Sequence, residues 1–504
     1  MAQAYTFFID QHGCAKNQVD GELMVSLLRK KGYTQTFRAD DADLIIVNSC
    51  GFIESAKTES LNAVMSAHAR YPDAKILLAG CLAERYAADL AEQLPEADGI
   101  FGNGDIAQLD KIVEPLMEGK RTVLVPAQNG VCGGDRDVLL SFAGAAYVKI
   151  TEGCNNRCSF CAIPLIRGHL RSRPADDILA EITSLVAKGV YEINLIGQDL
   201  AAYGTGADDN VFGMGRTHLP HGTPGAAEED AGGASESGLC TLLKRISALS
   251  GTFRVRLLYI HPDHFNADIL PVIKSDDRLL PYFDIPFQSG DDATIRAMHR
   301  VGTAQGYQSL VAQIRAAFPD AAIRTTFLTG FPGETDEAAR RTQDFLRVIE
   351  ADWSGCFPYS KEEGTPAATL RPHVPAKVAR ERAAALTALQ AEVTRRRLAR
   401  RTGKDYDVLV EEVLAPRDAA DDEGIAIGRA WFQAPEVDGS VVIRYDRSDR
   451  TASAAVQTGR LVRVRVVSGG DLDLHGDFLA DSPLNATIAK LALTFAQDLT
   501  RAEE

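Results

Sequence analysis

Short apolar runs alternate with amphipathic segments through the first ~140 residues, a pattern typical of a parallel sheet covered by helices. The runs Tyr5–Ile9, Asp43–Asn48 and Lys75–Ala79 predict strands. The segments between them predict helices over Val19–Lys31 and Glu54–Ala69. This alternation predicts an N-terminal α/β domain built on a doubly wound parallel sheet.

A second alternating series begins near residue 145. Helical segments such as Ala175–Lys188, Thr303–Ala317 and Asp336–Glu350 separate six further apolar runs. Six strand–helix units predict an open, partial (β/α)6 barrel, whose site is built from loops at the carboxyl ends of the strands. The predicted strands are Ala146–Ile150, Glu192–Ile196, Arg254–Tyr259, Tyr282–Ile285, Ile323–Leu328 and Trp353–Phe357.

The other segments differ from these two series in composition. Residues 205–238 are rich in Gly, Ala, Asp and Glu and predict a disordered insertion in the barrel. Residues 375–401 predict a helix, and residues 405–480 show short alternating strands that predict a small antiparallel β-barrel. The predicted division is an N-terminal α/β domain (1–125), a partial barrel (140–375), a linker helix (376–402), a small β-barrel (403–480) and a C-terminal tail (481–504).

Composition indicates the class of protein and the cellular compartment in which we expect it. The chain has 504 residues, 45% of them hydrophobic and 24% charged, as in a soluble multidomain protein. Its start has no basic segment followed by an apolar run, and no later run could span a bilayer, so we expect a cytoplasmic protein without a membrane partner. The net charge of −15 argues against nucleic acid as the default partner and allows a basic protein partner.

Nine cysteines are too few and too clustered for a disulfide framework, and in a reducing compartment clustered thiols indicate metal or redox chemistry. Cys154, Cys158 and Cys161 follow the first predicted barrel strand. Three thiolates can ligate three irons of a four-iron cluster, which leaves one iron open to chelate the amino and carboxylate groups of S-adenosylmethionine. Zinc is the alternative, but it prefers four protein ligands, and no fourth Cys or His lies nearby at zinc spacing. We predict a catalytic iron–sulfur cluster on these three cysteines.

A second set of cysteines is spread along the N-terminal series. Cys14, Cys50 and Cys81 each come just after a predicted strand. In a doubly wound sheet these loops share the carboxyl edge, so the three thiols should converge in space. Free cysteines are also common in buried α/β cores, so the residues alone leave both readings open. The cysteines without ligand spacing, which we expect to be inert, are Cys132, Cys240 and Cys356.

The triplet at Cys154, with Phe160 before its last cysteine, resembles the radical S-adenosylmethionine superfamily, and nearly the whole chain is similar to the methylthiotransferases of that superfamily. The resemblance implies an N-terminal domain with three cysteines, a radical barrel and a C-terminal TRAM barrel. It implies two [4Fe-4S] clusters and S-adenosylmethionine as cofactors, with the second cluster on Cys14, Cys50 and Cys81. An open iron there would bind the sulfur to be transferred. The electron donor would be a protein such as flavodoxin or ferredoxin.

Two branches of this family compete as readings of the chain. One methylthiolates adenosine in tRNA, and the other methylthiolates the β-carbon of an aspartate in small-subunit ribosomal protein twelve. Residues 13–20 (GCAKNQVD) are close to GCPKNLVD of the second branch and depart from it at Ala15 and Gln18. From Asp405 to Ala480, fifteen Asp and Glu stand against eight Arg and no Lys. That excess suits a basic ribosomal protein better than tRNA phosphates, so we expect a protein substrate.

The same resemblance assigns further cofactor-binding residues. Gly197 and Gln198 follow the second barrel strand, where the superfamily often binds the methionine amino group. Gly330 and Gly333 resemble the stretch that shapes the nucleoside pocket, and Phe160 resembles a residue beside the adenine. Each of these positions also fits an ordinary turn or loop filling.

Two alternatives remain open at the level of sequence. The arginines that follow the cysteine triplet fit either a substrate carboxylate or acidic neighbours, and they are Arg167, Arg171 and Arg173. A hypothesis from another class is a non-catalytic iron–sulfur or zinc protein that binds RNA through the small barrel.

Overall fold

A computed structural model of the chain describes residues 5–128, 131, 133–134, 136, 138–206, 236–416, 418 and 422–490. Cys132, most of the predicted insertion 205–238 and the end of the tail 481–504 lie outside the described residues. Within the described ranges, no helix combines the length and the apolar character needed to cross a bilayer.

The N-terminal region forms a six-stranded parallel sheet in the order β2-β1-β3-β4-β5-β6. This is a doubly wound order, which confirms the predicted fold, and its switch point lies beside β1. Strand β3 is buried along its whole length. The elements are β1 (Thr6–Gln11), α1 (Ala15–Lys30), β2 (Thr34–Gln35), β3 (Leu44–Ser49), α2 (Glu54–Arg70), β4 (Lys75–Gly80), α3 (Cys81–Gln93), β5 (Gly99–Phe101), α4 (Asp110–Met117) and β6 (Thr122–Leu124).

The central region forms a second six-stranded parallel sheet in the order β14-β13-β12-β11-β10-β7, an open partial barrel as predicted. A short ribbon, β8 with β9, follows its first strand. The elements are β7 (Ala145–Lys149), β8 (Thr151–Glu152), α5 (Ile163–Arg167), β9 (Arg171–Ser172), α6 (Ala175–Ala187), β10 (Glu192–Ile196), α7 (Gly238–Ser247), β11 (Arg254–Leu257), α8 (Ile269–Ser275), β12 (Leu279–Asp284), α9 (Asp292–Ala297), α10 (Ala304–Ala317), β13 (Ala322–Thr329), α11 (Asp336–Ile349), β14 (Trp353–Pro358) and α12 (Ala376–Ala399).

The C-terminal region closes into a five-stranded barrel in the order β15-β16-β17-β19-β18. Its pairs are antiparallel except β17 with β19, which is parallel. The sequence predicts strands over Asp407–Val410, Ser440–Tyr445 and Leu461–Val467, so it misses β16 and β19, although closure of the barrel needs both. The elements are β15 (Asp405–Val413), β16 (Glu423–Arg429), β17 (Val441–Asp446), α13 (Arg450–Ala455), β18 (Leu461–Gly469) and β19 (Leu474–Asp481).

The loop between β16 and β17 seals the amino-terminal end of the partial barrel. The Arg256 guanidinium on β11 donates to the carbonyl oxygen of Trp431 at 2.6 Å. The indole N–H of Trp353, at the start of β14, donates to the carbonyl oxygen of Phe432 at 3.0 Å. The barrel interior is therefore filled from this end by the C-terminal domain, which leaves the carboxyl ends of the strands for chemistry.

A buried ion network joins the same two regions. Glu192, the first residue of β10, pairs with Arg429 at 2.8 Å, Arg254 at 2.6 Å and Arg256 at 3.2 Å. Burial alone would raise the pKa of Glu192, but the three guanidinium groups outweigh it and hold that pKa well below its ordinary value.

The N-terminal sheet docks onto the barrel through buried charges as well. The guanidinium of Arg85 on α3 lies 2.8 Å from the carboxylate of Glu362, and the ammonium of Lys57 on α2 lies 3.2 Å from it. Arg136, in the segment between the two regions, pairs with Glu22 of α1 and Glu181 of α6. These contacts fix the carboxyl edge of the first sheet against the barrel.

Candidate active site

Cys14, Cys50 and Cys81 come together at the carboxyl edge of the N-terminal sheet. They follow β1, β3 and β4, which are neighbours in the sheet. A Cβ added to Gly13 would lie 3.1 Å from the Cβ of Cys50, and one added to Gly51 would lie 2.6 Å from the carbonyl oxygen of Cys81. The glycines beside the cysteines therefore allow three loops to pack closely, and the predicted convergence is observed.

Asn17 ties these loops together. Its side-chain amide donates to the carbonyl oxygen of His12 at 2.8 Å and to those of Asn48 and Ser49 at 3.2 Å. The amide of another asparagine, Asn103, donates to the Cys81 sulfur at 3.3 Å. The Cys81 sulfur is thus held by polar side chains, as expected of a ligand and not of a cysteine in an apolar core.

The three N-terminal thiols differ in their electrostatics. Burial raises the pKa of Cys50, and it raises the pKa of Cys81 to about 12. Burial also acts to raise the pKa of Cys14, but the charges of Lys16 and Arg167 leave it below its ordinary value. The neighbouring cations therefore favour the thiolate form of Cys14, whereas burial favours the protonated form of the other two unless a cation is bound.

Cys154, Cys158 and Cys161 lie on the loop after β8, at the carboxyl end of the barrel. The amide N–H of Cys154 donates to the carbonyl oxygen of Gly168 at 3.0 Å. The Cys158 sulfur lies 3.7 Å from Nε2 of His261. Burial raises the pKa of all three thiols, for Cys161 to about 12, so this set also needs a cation to become thiolate.

Neither cysteine set is arranged for a single ion. Among the described residues, only Asp199, His261 and His264 place three Cys, His, Asp or Glu ligand atoms close enough to share one ion, within 4.8 Å of one another. A zinc site would bring its thiolates to one metal, whereas a four-iron cluster distributes them over separate irons. The arrangement of both sets is compatible with ligands that bind separate irons of a cluster.

The Asp199 group is already satisfied by hydrogen bonds. Its carboxylate lies 2.6 Å from Nδ1 of His264 and accepts from the Asn156 amide at 3.0 Å and from the backbone N–H of His261 at 3.1 Å. Burial opposes ionisation of Asp199, but these partners, His264 first, lower its pKa to about 2. This carboxylate fixes the cysteine loop against the loops that follow β10 and β11.

A buried cluster of charges connects the two cysteine sets. Arg167, six residues after Cys161, donates to Asp20 and Glu152 at 2.9 Å each and to the Cys81 sulfur at 3.3 Å. Lys149 of β7 pairs with the same two carboxylates at 2.5 Å and 2.7 Å. A side chain of the barrel loop thus reaches a cysteine of the N-terminal sheet.

Of the two roles left open for the arginines, the described contacts favour acidic neighbours for Arg167 and Arg173. Arg173 pairs with Glu181, and Arg167 with the two carboxylates just named. Arg171 donates to the carbonyl oxygens of Arg167 and His169.

Lys16 is a buried cation close to Cys14 in the sequence. It is the second residue of α1 and only 8% exposed. Burial acts to raise the pKa of both Cys14 and Cys161, and the charge of Lys16 acts in the opposite direction on both thiols. Its ammonium rests 3.1 Å from the centre of the Tyr259 ring.

Gln198 and Gly197 border a space with unused hydrogen-bond acceptors. The Gln198 amide donates to Glu152 at 3.0 Å, but its Oε1 and the hydroxyl of Thr151 are buried without a hydrogen-bond partner among the described residues. A Cβ on Gly197 would lie 2.0 Å from the Thr151 hydroxyl oxygen, so only glycine fits there. Orphaned acceptors of this kind suit the ammonium of a bound amino acid moiety, which fits S-adenosylmethionine.

Phe160, Gly330 and Gly333 lie on the other side of the cysteine loop. Phe160 packs in one cluster with Phe331, the residue after Gly330. Gly330 has a φ of 72°, and a Cβ there would lie 2.2 Å from that of Ala379 on α12. Local packing accounts for this glycine, and a ligand contact by these three residues stays a prediction.

Several residues of this site were not singled out from the sequence. Lys16, Asn17 and Asp20 appeared only as letters of one motif, although all three are buried on α1. Glu152 and His261 had no assigned role. The density of polar residues in an otherwise helical segment is the one signal that marks Lys16, Asn17 and Asp20.

Family models match three regions of the chain. They are described as "Uncharacterized protein family UPF0004" over residues 6–102, "Radical SAM superfamily" over residues 148–346 and "TRAM domain" over residues 402–479. The chain is therefore a radical S-adenosylmethionine protein that contains a TRAM domain, and S-adenosylmethionine and an iron–sulfur cluster are its cofactors.

Curated relatives define the family more narrowly. "Ribosomal protein uS12 methylthiotransferase RimO" of Treponema denticola is 49% identical over 93% of this chain and 99% of its own length. The protein of the same name from Carboxydothermus hydrogenoformans is 34% identical over 94% of this chain and 100% of its own length. A solved radical S-adenosylmethionine methyltransferase, TsrM from Kitasatospora setae, has a TM-score of 0.49 at 14% identity and covers 72% of this chain and 74% of that one. The chain belongs to the RimO family of ribosomal protein uS12 methylthiotransferases.

Proposed function

We propose that this enzyme attaches a methylthio group to the β-carbon of one aspartate of ribosomal protein uS12, the small-subunit protein twelve. The observation that carries the proposal is the link between two three-cysteine sets, in which Arg167, six residues after Cys161, contacts the Cys81 sulfur at 3.3 Å. An enzyme that only generated a radical would need one such set. The names of the relatives supply the substrate.

In this proposal Cys154, Cys158 and Cys161 hold one [4Fe-4S] cluster, and Cys14, Cys50 and Cys81 hold a second. Support comes from the two sets themselves, neither of which is found among the described groups close enough to share one ion, and from the buried thiols that need a cation to ionise. Bound clusters and S-adenosylmethionine would supply three things: a radical, the sulfur and the methyl group. The radical is needed because acid–base side chains cannot break an unactivated C–H bond.

The side chains of the protein would bind and orient S-adenosylmethionine. The buried acceptors Gln198 Oε1 and Thr151 Oγ1 would receive the ammonium of S-adenosylmethionine. Glu152 orients Gln198 and is itself fixed by Arg167 and Lys149. We assign Phe160, Gly330 and Gly333 to the nucleoside end, and a flavodoxin- or ferredoxin-like protein as the electron donor.

The TRAM domain would dock the basic substrate. Its exposed arginines pair with acids across strands, for example Arg444 with Asp477 and Arg465 with Asp405. Because each pair uses one charge of each sign, the excess of fifteen acidic residues over eight arginines between residues 405 and 480 persists. A net negative barrel attracts a basic protein and repels tRNA.

The test is product analysis with the anaerobically reconstituted enzyme. The enzyme would be incubated with S-adenosylmethionine, sulfide and a reductant, and either with uS12 or with unmodified tRNA. We expect mass spectrometry to show a methylthio group on an aspartate of uS12 and none on tRNA. Modification of tRNA alone would assign the enzyme to the tRNA-modifying branch. If neither substrate is modified and S-adenosylmethionine is not cleaved, the proposed enzymatic activity is rejected.

A further inference from the structure

The sulfur of Cys158 faces the ring of His261. Nε2 of this ring lies 3.7 Å from the sulfur, a hydrogen-bonding distance for sulfur. The sulfur of Cys154, by contrast, accepts from a backbone N–H, that of Asn156, at 3.4 Å. Cys158 therefore has a side-chain partner that comes from a different loop, the one that follows β11.

The other ring nitrogen of His261 determines where the proton of the ring lies. The backbone N–H of Asp263 donates to Nδ1 at 3.3 Å, so Nδ1 acts as an acceptor and carries no proton. A neutral imidazole holds its proton on one nitrogen, and the bond made by one nitrogen fixes the role of the other. Nε2 therefore carries the proton, and the imidazole is the donor to the Cys158 sulfur.

Contacts with neighbouring segments hold the ring of His261 in this orientation. Its backbone N–H donates to Asp199 at 3.1 Å. Its ring stacks on that of His264 with the centroids 4.8 Å apart, and His264 is bonded to Asp199 at 2.6 Å. The carboxylate of Asp263, which follows in the same turn, accepts from the hydroxyl of Tyr307 on α10 at 2.7 Å. The Nε2–H group is therefore aimed at the sulfur by a rigid loop.

A donor at this sulfur affects how readily a bound cluster accepts an electron. Reduction adds one electron, and hence one negative charge, to a cluster and its cysteine sulfurs. A hydrogen bond to a sulfur is stronger when the sulfur is more negative, so it favours the reduced state and raises the reduction potential. In the proposed function this electron comes from the flavodoxin- or ferredoxin-like donor.

We propose that the Nε2–H of His261 donates to the Cys158 sulfur of the bound cluster and so makes this cluster easier to reduce. The inference rests on the cluster assignment of the proposed function and not on its substrate. His261 acts through Cys158 and is not itself a ligand. The buried Arg300 also acts electrostatically on this sulfur, and it stays unchanged in every variant of the test.

Two substitutions separate the bond to sulfur from the bond that caps the helical turn Pro262–His264. His261→Asn keeps an oxygen near the position of Nδ1, which can still accept from Asp263, but it has no donor that reaches the sulfur. His261→Gln extends to the position of Nε2 and keeps a donor there, but it loses the cap. A role in folding alone therefore favours the asparagine variant, whereas the proposed role favours the glutamine variant.

The measurement is the reduction potential of the barrel cluster in the reconstituted enzyme, by titration with dithionite followed by electron paramagnetic resonance. The signal of this cluster is the one that changes when S-adenosylmethionine is added. In His261→Asn the ratio of reduced to oxidised cluster at a fixed potential should fall about tenfold, the order of one hydrogen bond to a charged group, or ~59 mV for one electron. His261→Gln should keep most of the original potential. Equal potentials in the two variants, or a lower one in His261→Gln, would overturn the inference.

The matched control is His299→Asn. His299 is exposed, and its Nδ1 lies 3.1 Å from the carbonyl oxygen of Arg157, so it contacts the same cysteine loop at an oxygen and not at a sulfur. Its φ of 59° is a value that asparagine adopts readily. We expect the control to keep the original potential. A shift as large as that of His261→Asn would show that disturbance of the loop sets the potential, and would also overturn the inference.

Iron content identifies a variant that fails to assemble its cluster. The decision then rests on the unaltered enzyme prepared with histidine labelled with nitrogen-15. Pulsed electron paramagnetic resonance of the reduced barrel cluster should show a coupling to the labelled nitrogen, and its absence would overturn the inference. Mass spectrometry of uS12 tests the proposed function separately. An enzyme that modifies uS12 but has equal potentials in the two His261 variants contradicts this inference alone.

Discussion

The guanidinium of Arg167 donates to the sulfur of Cys81 at 3.3 Å, although the two residues belong to different domains. Arg167 follows the barrel cysteines by six residues, and Cys81 begins a helix of the N-terminal sheet. One side chain therefore joins the segment that follows the barrel cysteines to a cysteine of the N-terminal set. The reaction proposed here needs that proximity, because the sulfur held by one set must meet the carbon activated at the other.

The first prediction concerns the barrel cysteines. Cys158→Ala removes one of three ligands and should abolish reductive cleavage of S-adenosylmethionine, because the cluster would no longer be held with its open iron. The measurement is 5′-deoxyadenosine formation under anaerobic conditions. Cys356→Ala is the control, since Cys356 lies on β14 outside both sets and its loss should leave cleavage intact. Substantial cleavage by Cys158→Ala would contradict the assignment of the barrel cysteines to the cluster that cleaves S-adenosylmethionine.

The second prediction separates the two cysteine sets. Cys50→Ala should retain S-adenosylmethionine cleavage yet yield no methylthiolated uS12, because sulfur delivery depends on the N-terminal set alone. Both products are measured in the same reaction, by chromatography of the nucleoside and mass spectrometry of the protein. An unchanged yield of modified uS12 would show that the second cluster is not needed.

The third prediction concerns the bridging arginine. Arg167→Met leaves Asp20 and Glu152 buried with one cation fewer, which should lower the free energy of unfolding by about 3–5 kcal/mol. Chemical denaturation of proteins in the same cluster state measures this loss. Arg29→Met, an exposed substitution on α1, should cost far less. Equal stability of the two variants would mean that the charge cluster contributes nothing to folding.

The fourth prediction is a pH dependence at the interface between the N-terminal sheet and the barrel. Burial acts to raise the pKa of Glu362, but the hydrogen bonds from Ser360 and Arg85 and the charge of Lys57 leave it lowered. The unfolded chain therefore takes up this proton more readily than the folded one. The stabilisation is complete above the ordinary glutamate pKa of about 4.3 and is lost as the pH falls below it.

Glu362→Gln should accordingly cost about 3 kcal/mol at pH 7, and the difference from the unaltered protein should shrink as the pH is lowered below 4. Thermal unfolding of both proteins over this range provides the measurement. A difference that stays constant with pH would show that ionisation of Glu362 does not stabilise the interface.

The sequence predicts the central strands well because their apolar runs are buried by any α/β fold. Helix α1 shows where this signal fails. It begins at Ala15, four residues before the predicted start at Val19, because Lys16, Asn17 and Gln18 are polar and yet buried. Hydrophobic periodicity assigns such residues to a loop. These polar residues are buried because they face the site. In an ordinary amphipathic helix the buried face is apolar, so the sequence pattern of α1 does not indicate a helix at this end.

The candidate site divides in the same way. The cysteines can be recognised in the sequence by their spacing or by their position after predicted strands, and the structure brings each set together. Lys16 and Tyr259 meet only through tertiary packing, 243 residues apart in the chain. Likewise β5, with three residues from Gly99 to Phe101, is too short to show a pattern of its own.

Glu192, the first residue of β10, has a consequence for how the protein folds during synthesis. Glu192 receives one of its three guanidinium partners from Arg429, 237 residues later. A ribosome completes the barrel strands well before it reaches that arginine, so the nascent barrel exposes a cavity with an incomplete set of charges. Final closure must wait until the last domain has emerged. A chain truncated before β16 should therefore be a substrate for chaperones and proteases, and the barrel cannot be obtained as an independent unit.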